Sequence, residues 1–116
     1  MQFDSTRPIW LQVMEELETS IVTGERNPGE KLPGGRDLAL AYGINPNTAV
    51  RVYQELERAG LCETRRGLGT FVTPDTERIA ALRAELARRS VHDFLRQLQK
   101  LGVTREQAAQ LILKEE

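Results

Sequence analysis

Apolar positions along the chain fall into two rhythms, a helical one that dominates and a short alternating one. From Pro8 to about Gly24, Trp10, Val13, Met14, Leu17 and Ile21 stand at i, i+3, i+4, i+7 and i+11, the stripe of an amphipathic helix. Ser5 or Thr6 is expected to cap it and Gly24 to end it. The next stretch, "ERNPGEKLP", reads as a loop with a Pro-Gly turn. A short helix is predicted from Gly35 to Tyr42, with Leu38 and Ala41 inward and Gly43 as its terminator. Gly34 serves as its cap, without the side-chain bond a serine would provide.

The third helix opens inside "GINPNTAVRVYQELERAGL", residues 43–61. Asn45 suits the N-cap because its side-chain carbonyl can accept a backbone N–H bond, and Pro46 suits the first helical position, where no N–H is needed. Ala49, Val52, Tyr53 and Leu56 form the inward stripe, and Gly60 stops the helix. Asn47, Thr48, Val50, Arg51, Gln54 and Arg58 are left on the outer side. Capping explains Asn45 and Pro46. Asn47 and Thr48 are poor interior helix formers and have no such explanation.

Next, "LCETRRGLGTFVT" predicts a β-hairpin: Cys62 to Arg66, a tight turn using Gly67 and Gly69, then Thr70 to Thr73, with Pro74 closing the unit. A long helix follows from about Asp75 to Leu101, carrying Ile79, Leu82, Leu86, Val91, Phe94, Leu95, Leu98 and Leu101. After Gly102, Thr104 and Gln107 make a capping-box start for a last helix with Ala108, Leu111 and Ile112. The predicted class is mostly α with a small β-hairpin. A winged helix-turn-helix domain (1–74) precedes a two-helix dimerisation segment (75–116).

Composition narrows the functional classes. With 116 residues, 40% hydrophobic and 28% charged, the chain is expected to be a folded cytoplasmic protein. No apolar run approaches a membrane span, and the N-terminus does not resemble a signal peptide. The single cysteine, Cys62, excludes an internal disulfide and a multi-cysteine zinc site. His92 is likewise solitary, and no paired carboxylates or nucleophile–base set stands out, so neither an enzyme nor a bound cofactor or metal is expected. "GLG" lies between two strands and lacks a third glycine and the lysine of a phosphate-binding loop. A net charge of −1 weighs slightly against nucleic acid, so that reading rests on where individual arginines sit.

Four stretches together resemble the GntR family of bacterial transcription regulators, most of all its short YtrA-type branch. They are "PIWLQV" in the first helix, "PGEKLP" before the second, "GINPNTAVRVYQELERAGL", and "RRGLGTFV" in the hairpin, covering residues 8–73 in order. The resemblance implies a homodimeric repressor bound to double-stranded DNA at an inverted repeat. Family DNA contacts come from an arginine opening the second helix, from the first turns of the third, and from the wing tip. These map onto Arg36; onto Asn45, Pro46, Asn47, Thr48 and Arg51; and onto Arg66 and Gly67. Two departures stand out. Gly34 and Gly35 replace the usual serine and its acidic or apolar neighbour, and Val50 replaces a frequent arginine, leaving an apolar side chain suited to a thymine methyl.

Each of these residues also has a plainer role. Arg51 is spaced for an ion pair with Glu55, Arg36 for one with Asp37 or Glu30, and Arg66 is an ordinary polar hairpin end. Asn47 and Thr48 suit either local backbone bonding or contact with phosphates and bases, and the N–H groups at that helix tip favour phosphate. Arg58 pairs as readily with nearby acids and is left out of the site. In the C-terminal segment, Leu86, Phe94, Leu98, Leu101, Leu111 and Ile112 exceed what a two-helix hairpin hides, which points to a second copy of the chain. A winged-helix module that binds protein is the alternative from another class. A small-molecule effector would need a pocket formed at the dimer interface.

Overall fold

The computed structural model describes all 116 residues, Met1–Glu116. Its elements run α1 (Ile9–Val22), α2 (Gly35–Tyr42), α3 (Pro46–Arg58), β1 (Cys62–Arg65), β2 (Gly69–Val72), α4 (Thr76–Lys100) and α5 (Arg105–Lys114). No helix is long and apolar enough to cross a membrane. The chain divides into two compact units, Met1–Leu82 and Arg83–Glu116.

In the first unit α3 is the central element, with α1, α2 and β1 all packed against it. Its expected stripe of Ala49, Val52, Tyr53 and Leu56 is buried, as are Val13, Leu17 and Ile21 of α1, Leu38 of α2, Leu61 just before the hairpin and Val72 within it. Burying a set of Leu, Ile and Val side chains at about 1.5–3 kcal/mol each is the main force holding these elements together. The core continues past Pro74. Ile79 and Leu82 are buried, and Arg78 Nε donates to the Ala59 carbonyl at the end of α3 (3.0 Å). The opening turns of α4 therefore belong to this unit.

Three local expectations change. Ala39, not Ala41, is the buried alanine of α2, because the inward face of this two-turn helix is centred on Leu38 and its neighbour. Neither Ser5 nor Thr6 caps α1. Pro8 occupies the N-cap, while the Thr6 hydroxyl donates to Asp4 Oδ1 (2.6 Å). The start of α1 is held instead by Gln12, whose amide donates to the Asp4 and Arg7 carbonyls (2.7 and 3.0 Å) and accepts from the Asp4 N–H (2.8 Å). Finally, "PGEKLP" is more than a loop. The Gly29 N–H donates to the Val72 carbonyl (3.0 Å), the Val72 N–H to the Glu30 carbonyl (2.8 Å) and the Leu32 N–H to the Thr70 carbonyl (2.8 Å), laying residues 29–32 along the free edge of β2.

The hairpin pairs Cys62 with Val72 and Arg65 with Gly69 in antiparallel register. Tyr53 anchors the preceding loop by donating its hydroxyl to the Pro33 carbonyl. In the second unit, α5 begins with the predicted capping box: the Gln107 N–H donates to Thr104 Oγ1 (3.1 Å) and the Thr104 N–H to Gln107 Oε1 (2.9 Å). Ala108 is fully buried, but the unit leaves Val91, Leu101, Leu111, Ile112 and Leu113 more than half exposed.

Candidate nucleic-acid interface

The tip of α3 is built by its cap. Asn45 is extended and accepts the Asn47 N–H on its side-chain oxygen (2.7 Å), and Pro46 follows as the first helical residue. The Thr48 and Ala49 N–H groups both donate to the Asn45 carbonyl (2.9 and 3.1 Å). This alters one expectation, since the backbone donors at the tip are already engaged. Chemistry towards a partner thus falls to side chains. Those of Asn47 and Thr48 make no hydrogen bond within the chain, and the first turn holds no acidic residue that would repel phosphate. Stability accounts for Asn45 and Pro46, while Asn47 and Thr48 are left with unused donors and acceptors.

Arg51 lies one turn further along the same side of α3. Its guanidinium carbon sits 4.5 Å above the centroid of the Trp10 ring, and its Nε is 4.0 Å from Glu55. The ion pair anticipated with Glu55 is therefore loose, and Glu55 is held more closely by Arg58 Nη1 at 2.8 Å. Trp10 was expected only as a core residue. It is half-buried and gives Arg51 a flat platform that restricts the guanidinium, leaving the side chain 56% exposed. Val50 is also exposed, an apolar group beside these polar ones. Arg58 pairs with Glu55 while its side chain stays 75% exposed.

Arg36 is the second residue of α2, a helix packed against α3. Gly34 is its N-cap with no side-chain bond, as expected. Neither Asp37 nor Glu30 engages Arg36; the Glu30 carboxylate accepts the Asn27 N–H instead (3.1 Å). Arg36 is exposed, with its donors free.

The hairpin distinguishes its two arginines, which strand alternation does not. Arg65 folds over the Phe71 ring at 4.4 Å and lies 3.5 Å from Glu63. Arg66, in the turn, is exposed and unpaired. Gly67 has φ of 77°, and a side chain built there would meet nothing within 4 Å, so the backbone is open to close approach. Gly69, with φ of 118°, is different: an added Cβ would lie 2.9 Å from Lys31 Cε, because that side chain runs directly across it.

Dimerisation candidates lie in the second unit. Phe94, Leu111 and Ile112 line one shallow cleft together with Glu115. Leu101 is 76% exposed, whereas Leu86 and Leu98 are half-buried within their own chain. Cys62 is buried with its thiol 3.7 Å from the Tyr53 carbonyl, and burial, reinforced by Glu57 and Glu63, pushes its pKa up to about 12. His92 is exposed on α4.

Comparison with known proteins agrees with this arrangement. Residues 10–72 match the bacterial regulatory proteins of the gntR family. The HTH-type transcriptional regulator YhcF of Bacillus subtilis is 42% identical over 91% of this chain and 88% of its own length. The HTH-type transcriptional repressor YtrA of the same organism is 40% identical over 63% of this chain and 56% of its own. A GntR family transcriptional regulator from Listeria monocytogenes superposes with a TM-score of 0.88 at 36% identity, covering 98% of this chain and all of that one. The DNA-binding domain of AraR, solved in complex with operator ORX1, matches 63% of this chain and 89% of that one, with a TM-score of 0.56 and 28% identity. The relatives are transcription regulators, with repressors among them, and not enzymes. On the family match, the relatives and the fold together, the chain belongs to the GntR family of DNA-binding bacterial transcription regulators, with a winged helix-turn-helix as its first unit.

Proposed function

We propose that the protein is a homodimeric repressor that occupies an inverted repeat in promoter DNA. In this reading α3 enters a major groove. Asn47, Thr48 and Arg51 meet base edges or phosphates, while Asn45 and Pro46 shape the tip. Arg36 contacts the backbone beside it, and the wing tip, Arg66 and Gly67, contacts backbone further along. The observation that carries this reading is the α3 tip: polar side chains without partners, on a helix whose own capping needs are already met.

Dimerisation is supported by the apolar side chains that Arg83–Glu116 leaves exposed around Phe94, Leu111 and Ile112. Monomeric proteins rarely expose contiguous apolar surface of this kind. A two-fold pair would place two recognition helices about 34 Å apart, one turn of B-DNA. Repression then needs only occupancy of the promoter.

Two measurements test the reading. Sedimentation equilibrium should give a dimer at micromolar concentration. Binding to duplex DNA should weaken steeply with salt, with a log–log slope of about −3.6 to −5.4 for two protomers each placing two or three cations on phosphates. A shallow slope, or no binding, would favour the protein-binding alternative.

A further inference from the structure

The wing carries a cation that lies outside the contact set transferred from the family. Residues 29–32 run along the outer edge of β2, and Lys31 faces Phe71 across an antiparallel bridge. Bridged residues project to the same face of a sheet, so Lys31 shares a face with Phe71 and Gly69. Its side chain crosses Gly69 so closely that a Cβ there would sit 2.9 Å from Cε and 3.6 Å from Nζ. That aliphatic stem brings the ammonium to the first residue of β2, next to the turn that holds Arg66 and Gly67.

No acid neutralises this ammonium. Glu63 is paired across β2 with Phe71, but its carboxylate lies 3.5 Å from Arg65, and the Glu30 carboxylate is bonded to Asn27. Lys31 itself makes no ion pair and is exposed. The glycine at 69 thus has a second physical reason besides its φ of 118°: any side chain there would displace the lysine. We propose that Lys31 is a phosphate-binding residue of the wing, which delivers a second cation beside Arg66 to the DNA backbone. The assignment rests on the DNA-binding reading above. It adds a positioned ammonium, with affinity for phosphate and no base preference.

The test compares Lys31→Gln, Lys31→Arg, Arg66→Gln and Lys114→Gln with the parent full-length chain. The probes are a duplex that the parent selects from a random pool and a scrambled duplex of equal length, each titrated over a range of salt. Lys31→Gln should lower the salt slope by about 0.9 per protomer and weaken both duplexes by the same factor. Lys31→Arg should restore the slope, and Lys114→Gln, which removes one positive charge outside the wing, should leave it at the parent value. A parent-like slope for Lys31→Gln, alongside a reduced one for Arg66→Gln, overturns the assignment and leaves the DNA reading standing. If the parent shows no salt-dependent binding, the DNA reading fails and Lys31 falls with it.

Discussion

Replacing Arg51 with alanine separates a structural role for this side chain from a recognition role. The structural loss has two parts. The cation over Trp10, with the arginine side chain 56% exposed, contributes about 0.5–1 kcal/mol at such a site. The 4.0 Å approach to Glu55 adds at most a few tenths of a kcal/mol, and Glu55 keeps Arg58 at 2.8 Å after the substitution. Alanine's helix propensity returns roughly 0.2 kcal/mol. Stability should therefore fall by about 0.5–1 kcal/mol, a modest change. Operator binding should fall by about 1–3 kcal/mol, with relaxed preference at one position per half-site if the contact is to a base. Chemical denaturation gives the first quantity, and anisotropy titrations on selected and scrambled duplexes give the second. Trp10→Leu is the companion variant, since it removes the platform but keeps the guanidinium; it should lose similar stability and retain more binding than Arg51→Ala. If Arg51→Ala loses the expected stability but binds both duplexes as the parent does, Arg51 is a brace between α1 and α3, and the face does not read DNA.

Asn45→Ala removes the side-chain acceptor of the Asn47 N–H and should lower stability by about 1 kcal/mol in the same denaturation assay. Leu111→Asp places a carboxylate on a side chain that is 53% exposed in its own chain, so the fold should survive while the dimer weakens by several kcal/mol, read by sedimentation velocity. Leu98→Asp should act in the same direction, but its half-burial also strains the monomer, so Leu111 is the cleaner site. The raised pKa values of Cys62 and Tyr53, both pushed up to about 12 mainly by burial, keep these groups protonated in the folded protein while the unfolded chain ionises from about 9 and 10. The unfolded state therefore binds fewer protons in that window, and stability present below pH 9 should be lost progressively as pH rises towards 12. Denaturation midpoints across that range test this, and a thiol reagent should modify Cys62 only after unfolding.

Much of the fold was legible because its signals are local. The Asn45–Pro46 cap, the Thr104–Gln107 capping box and the stripe of Ala49, Val52, Tyr53 and Leu56 are each written within one helix, and the structure contains them as read. What local pattern missed depends on contacts between distant segments. Nothing in "PGEKLP" announces that it pairs with β2, since that needs Leu32 and Thr70 to meet. The burial of Ile79 and Leu82 with the first unit was likewise hidden behind Pro74, which reads as a boundary. In the site, the exposure of Asn47 followed from helical spacing, while Thr48 beside it is half-buried. The Trp10 platform under Arg51, the engagement of Arg65 by Phe71 and the path of Lys31 over Gly69 required packing between elements.

Selection from a pool of random duplex DNA by the purified full-length chain tests the central claim most directly. Two α3 helices related by a dimer axis should enrich an inverted repeat whose half-sites are centred about 10 base pairs apart, and Arg51→Ala should degrade the same position in both halves. Enrichment of no sequence, or of a single half-site without its inverted partner, would contradict a dimer that reads DNA through the tip of α3.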